Sequence, residues 1–113
     1  MQLKAIKNAF FYSLQGIVFL LKERAFKQEI ALGVIILCIE FFRCTSSMMR
    51  LYLFSSYMLV LISEGINSAI ESAVDRIGNE MHYLSKKVKD IGSASVFLAL
   101  LHLGIIWITT WFL

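Results

Sequence analysis

The stretch Glu64-Gly-Ile-Asn-Ser-Ala-Ile-Glu-Ser-Ala-Val-Asp-Arg-Ile-Gly78 decides how this chain folds. It follows the apolar run Leu51 to Ile62 without a proline or an evident loop, and together they predict one helix. On that helix Glu64 and Glu71, seven residues apart, return to the same face after about two turns. Asn67 and Ser68 stand between them, and Asp75 carries the stripe one turn further. Ile66, Ala69, Ile70, Ala73 and Val74 are expected on the opposite side, as a small apolar surface for lipid or a neighbouring helix. A carboxylate in hydrocarbon costs roughly 2.5–3.5 kcal/mol, so such an acid faces protein or water and is commonly functional. Solvation just beyond the bilayer edge accounts for Asp75. It does not account for Glu64, which follows an apolar run too short to span alone.

The composition agrees with a membrane setting. Hydrophobic residues make up 58% of the 113 positions and charged ones 17%, against roughly 45–50% and 25% in soluble domains. With no proline and six glycines, there is little from which to build long loops or β-turns. One domain over residues 1–113 is expected. Cys38 and Cys44 share no helix face and suggest neither a disulfide framework nor a metal pair. His82 and His102 lack zinc-ligand spacing, and His102, in an apolar run, is expected to be hydrogen-bonded within a bundle. The net charge of +3 is modest, and no nucleic-acid partner is expected.

The pattern predicts an all-α membrane protein, with an N-terminal amphipathic surface helix over about 2–22 and three transmembrane helices. Leu3, Ile6, Phe10, Leu14, Ile17 and Leu21 recur at three- and four-residue steps, as a helix in the headgroup layer requires. A signal peptide is excluded, because Lys22-Glu-Arg24 stands where small cleavage-site residues belong. The charged knot Glu23–Glu29 precedes the first apolar span, about 28–43, whose far side is marked by Glu40 and Arg43. After a turn at Thr45–Ser47 the second span covers about 48–77. A polar, basic loop leads to the third span, about 91–112, with Trp107 and Trp111 as interfacial anchors. Lys4, Lys7, Lys22, Arg24 and Lys27 lie before the first span, and Arg76, Lys86, Lys87 and Lys89 between the second and third. The positive-inside rule therefore puts the N-terminus and the second loop in the cytoplasm, and with them Glu23, Glu71, Asp75, Glu80, Lys89 and Asp90.

Acids and a lysine gathered at a cytoplasmic membrane surface suit phosphoryl transfer. Glu23 and Glu71 can serve Mg²⁺ through one or two oxygens each, and Lys89 can offset phosphate charge. The deeper Glu64 can take the proton of a lipid hydroxyl as general base. Neither a Gly-x-x-x-x-Gly-Lys-Ser/Thr loop nor a Gly-x-Gly-x-x-Gly motif is present, so a nucleotide site would be of an unusual kind. A small assembly conducting protons or cations along the acid stripe is the alternative of a different class. Three short helices are not expected to surround that stripe unaided, which calls for a neighbouring subunit.

Glu23-Arg-Ala-Phe-Lys-Gln-Glu29, Glu64-Gly-Ile-Asn-Ser-Ala-Ile-Glu71 running into Val74-Asp-Arg-Ile-Gly78, and Lys89-Asp-Ile-Gly-Ser-Ala94 resemble the prokaryotic, integral-membrane diacylglycerol kinase family. The resemblance spans nearly the whole chain. It implies a surface helix plus three transmembrane helices, a homotrimeric bundle with shared active sites, and a place in the bacterial inner membrane. The implied reaction carries the γ-phosphoryl group of Mg-ATP to diacylglycerol, giving phosphatidic acid. By the same resemblance Glu64 is the catalytic base, Glu23 and Glu71 are the metal and ATP carboxylates, and Asn67 supports the site. Lys4, Tyr12, Glu80, Met81, His82, Lys89 and Asp90 match ATP-contacting positions. Ser13, Ala25, Phe26, Lys27, Gln28, Glu29, Arg50, Glu64, Asn67 and Ser93 match positions that contact the lipid. The interval from Gly16 to Glu23 is one residue shorter than is usual in the family, Lys4 or Lys7 replaces an arginine, and Tyr83 replaces a common acid. Relatives that phosphorylate undecaprenol provide a second substrate, but Asn67-Ser-Ala-Ile-Glu71 with Val74–Gly78 resembles the diacylglycerol branch more closely.

Overall fold

A computed structural model describes residues 2–43, 45–78 and 82–113. Four helices follow one another, α1 (Leu3–Leu20), α2 (Arg24–Phe42), α3 (Ser47–Ile77) and α4 (Tyr83–Phe112). No strand occurs among the described residues. α3 packs along α4 and, over a shorter length, against α2. Helices of 31 and 30 residues rise about 45 Å, more than the roughly 30 Å of a hydrocarbon core. Both therefore have turns to spare beyond a bilayer. α3 and α4 are long and apolar enough to cross one. α2 has 19 residues but carries Lys27, Glu29 and Glu40, and it does not match the other two in apolar length.

The expected second span is one unbroken helix, begun by Ser46, whose Oγ accepts from the Met49 N–H at 3.2 Å. Two expected connections are helical instead. Arg24–Glu29 forms the first turns of α2, with Glu23 at the N-cap position. Likewise Lys86, Lys87, Lys89 and Asp90 ride on α4 rather than in a loop. His82 Nδ1 accepts from the Leu84 N–H at 3.0 Å to start that helix. Lys86 pairs with Asp90 one turn on, at 2.6 Å.

The core lies at mid-height, where Ile36, Leu53, Val60 and Leu103 meet. Val60 and Ser56 are sealed at 0% and 1% exposure, so α3 is the central element. α2 reaches it closely because Gly33 lacks a side chain. A Cβ there would overlap the phenol ring of Tyr57, whose hydroxyl donates to the Glu29 carbonyl at 2.9 Å. α1 buries no residue, and its apolar face (Leu3, Ile6, Phe10, Ile17) is open. Leu20 nonetheless stands 3.5 Å from the position a Cβ on Gly65 would take, which brings the end of α1 beside α3. The outward faces of α3 and α4 are also apolar, with Phe54, Ile62, Phe97, Leu101 and Ile108 exposed. Lipid or further protein must cover such surfaces.

Several expectations change at this level. Val74, placed by sequence opposite the acid stripe, is buried, because it stands seven residues after the buried Asn67 and shares its face. His102 is exposed and has no hydrogen bond to another helix among the described residues. Cys38 is exposed, as a lipid-facing residue can be, and Cys44 lies outside the described residues. Glu40 and Arg43 do more than mark the far end. Arg43 Nη1 meets Glu40 Oε1 at 2.6 Å, and its guanidinium also donates to the Thr110 hydroxyl and carbonyl at 3.1 and 2.8 Å. Trp107 Nε1 donates to Glu40 at 3.1 Å, and Arg43 lies 3.7 Å from the Trp111 ring centroid. The two tryptophans expected as interfacial anchors thus close an ionic cluster that ties the end of α2 to the end of α4.

Removing one partner of a buried pair leaves the other charge uncompensated, at a cost of about 3–5 kcal/mol. Arg43→Ala is therefore expected to lower stability by about that amount in unfolding experiments in detergent. Cys38→Ser, on an exposed face, is expected to stay within about 0.5 kcal/mol. Equal stability of Arg43→Ala and the parent would show that the cluster does not hold the far end.

Candidate active site

At the opposite end of the bundle the first turns of α2, the last turns of α3 and the first turns of α4 converge. The sequence brings three acids here on α3, spaced so that Glu64 lies deepest and Glu71 and Asp75 follow toward the helix end. Glu64 and Asn67 are each 7% exposed and Ser68 is 9% exposed. α2 and α4 of the same chain thus cover the deeper part of the stripe. Glu71 and Asp75 remain exposed.

Each carboxylate has a specific partner. Glu23 makes no capping hydrogen bond at the start of α2, and its Oε1 instead accepts from Ser68 Oγ at 3.0 Å. Asn67 Nδ2 donates to Glu71 Oε1 at 3.1 Å, one turn along α3. Lys89 Nζ donates to Asp75 Oδ1 at 2.7 Å, joining α4 to α3. This hydrogen bond holds the Lys89 ammonium above the ordinary lysine pKa, and Glu71 adds to the effect through space. Glu29, at 8% exposure, turns its carboxyl to that of Glu64 within hydrogen-bonding reach. Glu23 and Glu71 both act electrostatically on Glu64, so the four glutamates form one neighbourhood.

Among the residues expected in the site, Glu23, Glu29, Glu64, Asn67, Glu71 and Lys89 are brought together. Phe26 is buried beside them, whereas Ala25, Lys27 and Gln28 lie exposed on α2. Ser13 lines a groove of about 1010 Å³ between α1, α2 and α3, along with Phe26, Met58 and Gly65. Glu23, Ser68 and Ser72 form the polar part of its wall. Lys4 and Tyr12 are exposed on α1 and Ser93 on α4. Asp90 is held by Lys86, and His82 caps α4. Glu80 and Met81 lie outside the described residues. Arg50 is not brought to the acids: it sits in the first turns of α3, where its Nε donates to Thr45 Oγ1 at 3.3 Å. Glu64 stands fourteen positions after it on the same helix, a rise of about 21 Å. Ser68 and Asp75 were visible on the stripe, but their partners, Glu23 and Lys89, come from other helices. Gly92, packed on Asn67, stands within the Lys89–Ala94 motif, but no role was expected of it.

The donor set bears on Mg²⁺. Among the described residues no three histidine, cysteine or acidic side chains close into a preformed cage. Glu23 and Glu71 each keep a second oxygen free of any hydrogen bond among the described residues. Two hard, partly free carboxylates fit a cation that takes its remaining ligands from phosphates and water. They do not fit one that needs a closed protein shell.

Comparison with known proteins gives the family. Residues 11–111 match the family described as prokaryotic diacylglycerol kinase. A protein of Haemophilus influenzae named diacylglycerol kinase is 46% identical over 101 residues, covering 88% of this chain and 86% of its own. That of Pseudomonas aeruginosa is 42% identical over 108 residues, 95% of this chain and 88% of its own. The Escherichia coli K12 protein of the same name is 46% identical over 90 residues, 77% of this chain and 71% of its own. A helical membrane bundle with an acid-lined end is the class that fold and site define. The chain belongs to the prokaryotic diacylglycerol kinase family.

Proposed function

We propose that this chain is an ATP-dependent lipid kinase that converts 1,2-diacylglycerol and ATP to phosphatidic acid and ADP. Glu64 carries the reading. It is a carboxylate withdrawn into the bundle at 7% exposure, deep enough to meet the hydroxyl of a lipid, while Glu71 and Asp75 follow it toward the end of α3. In this scheme the acceptor hydroxyl gives its proton to Glu64 as its oxygen bonds to the γ-phosphorus. The bond from that phosphorus to the β,γ-bridging oxygen breaks, and ADP leaves with the electron pair. Glu29 lies against the Glu64 carboxyl and Asn67 orients Glu71. Lys89, once released from Asp75, meets phosphate charge. Glu23 and Glu71 would hold Mg²⁺, which when bound neutralises charge on the phosphates. The apolar groove beside Glu23 suits acyl chains. An ion-conducting assembly would not call for Lys89 beside the acids, and the relatives named above carry a kinase name. That shared name also favours diacylglycerol over undecaprenol.

The enzyme is proposed to sit in the bacterial inner membrane as a homotrimer, with α2 as a third crossing and the site facing the cytoplasm. The lysines and arginines near the acid end support this orientation by the positive-inside rule. The exposed apolar faces of α3 and α4, together with the solvent-open Glu71, support a neighbouring subunit at the site.

Glu64→Gln keeps size and removes proton acceptance, so turnover is expected to fall about 10²–10⁴-fold while the oligomer assembles normally. A folded Glu64→Gln enzyme with near-normal turnover would sink the assignment. Glu23→Gln and Glu71→Gln each remove a hard ligand and are expected to raise the Mg²⁺ concentration needed for half-activation. If all variants keep the parent's Mg²⁺ dependence, the metal assignment is wrong. When Glu23→Gln chains are mixed with Glu71→Gln chains, partial recovery of activity is expected, because some interfaces then pair two intact carboxylates. Verified mixed oligomers with no recovery would mean that each chain builds its own site.

A further inference from the structure

Gly92 lies in the third turn of α4, a helix interior where glycine is about 0.5–1 kcal/mol less favourable than alanine. It is also buried, so nothing in its exposure to solvent explains it. Its surroundings do. A Cβ built on Gly92 would collide with Oδ1 of Asn67 and crowd its carboxamide carbon at 3.3 Å. That oxygen is buried without a hydrogen-bond partner, so no bond of its own fixes the carboxamide on that side. The other end of the same group, Nδ2, donates to Glu71 Oε1 at 3.1 Å. A carboxamide is planar and rigid, so displacing Oδ1 turns Nδ2 by the same rotation and breaks its aim at Glu71. Gly104, in the same helix, has no atom within 4 Å of its Cβ position. Crowding is therefore specific to Gly92 and not general to glycines of α4.

We infer that Gly92 is a positioning residue for the metal-binding carboxylate: the space left by its missing side chain seats the Asn67 carboxamide, which in turn aims Glu71. This rests on the reading of Glu71 as a Mg²⁺ ligand. Gly92 stands one turn after Lys89, so a single stretch of α4 sets both the lysine that pairs with Asp75 and, through Asn67, Glu71.

The test is Mn²⁺ binding, as a spectroscopic stand-in for Mg²⁺, followed by electron paramagnetic resonance in the intact oligomer with a non-hydrolysable ATP analogue present. Losing a group that orients a ligand typically weakens metal binding about 10–100-fold. Gly92→Ala is expected to raise the Mn²⁺ Kd within that range. Gly104→Ala is expected to bind Mn²⁺ as the parent does. In an Asn67→Ala background, which removes the carboxamide, Gly92→Ala is expected to add no further loss, since coupled sites are non-additive. Parent-like Mn²⁺ binding by Gly92→Ala, or an undiminished extra loss in the Asn67→Ala background, would overturn the inference. Should Gly92→Ala fail to assemble, the double variant Asn67→Ala/Gly92→Ala is expected to assemble, because the colliding group is gone. Failure of both to assemble would also overturn it. Glu71→Gln separates the two levels. If it weakens Mn²⁺ binding and Gly92→Ala does not, only the role of Gly92 fails. If neither does, the metal reading itself fails.

Discussion

A carboxylate and a carboxamide taken out of water must be covered and given partners, and in this bundle α2 and α4 meet that demand from two sides of α3. Glu64 is closed over by α2, which brings Glu29 against it. Asn67 is closed over by α4, which can approach only because Gly92 is bare. Ser68 completes the stripe by holding Glu23 at the entry to α2. The close approach of α2 a little farther along, where Gly33 admits Tyr57, follows from the same need for tight contact with α3. The order of the helices around α3 is thus tied to the covering of one polar stripe.

The two ends of the bundle treat charge in opposite ways. At the far end Glu40 is neutralised by Arg43, and the remaining hydrogen-bonding capacity goes to Trp107, Thr45 and Thr110. Among the described residues both oxygens of Glu40 have partners there. At the near end Glu23, Glu29, Glu64 and Glu71 gather, with a serine on Glu23 and an amide on Glu71, and Lys89 is engaged by Asp75. Like charges held together disfavour full ionisation and compactness alike. A cation bringing phosphates with it relieves that repulsion. The closed far end resists opening, and the near end keeps the electrostatic deficit that binding can offset.

Outside this frame the chain leaves apolar surface uncovered along α1 and on the outward faces of α3 and α4. Such surface is stable in lipid, where no water needs to be displaced from it. The polar backbone is satisfied within each helix, as a membrane requires. α3 and α4 are longer than the hydrocarbon thickness requires, and Asp75, Lys86 and Lys89 lie on their end turns.

The helices and the acid stripe were legible in the sequence because both rest on local rules. Apolar period, absence of proline and seven-residue spacing of acids fix a long helix and the face that Glu64, Asn67 and Ser68 share. Local rules misplaced Val74 and took the basic segment before Ile91 for a loop, since side-chain pairing within α4 and a histidine cap were not visible in composition. Pairings between helices were beyond sequence altogether. That Arg43 would reach Thr110, that Ser68 would hold Glu23, and that Lys89 would meet Asp75 depend on the register of helices far apart in the chain. Arg50 shows the converse: the family resemblance groups it with the lipid contacts, and its place in the first turns of α3 puts it at the other end of the bundle. A glycine has no side chain by which its sequence could declare a role. Only where α4 crosses Asn67 does the missing Cβ at Gly92 become a requirement, because two atoms cannot share that space.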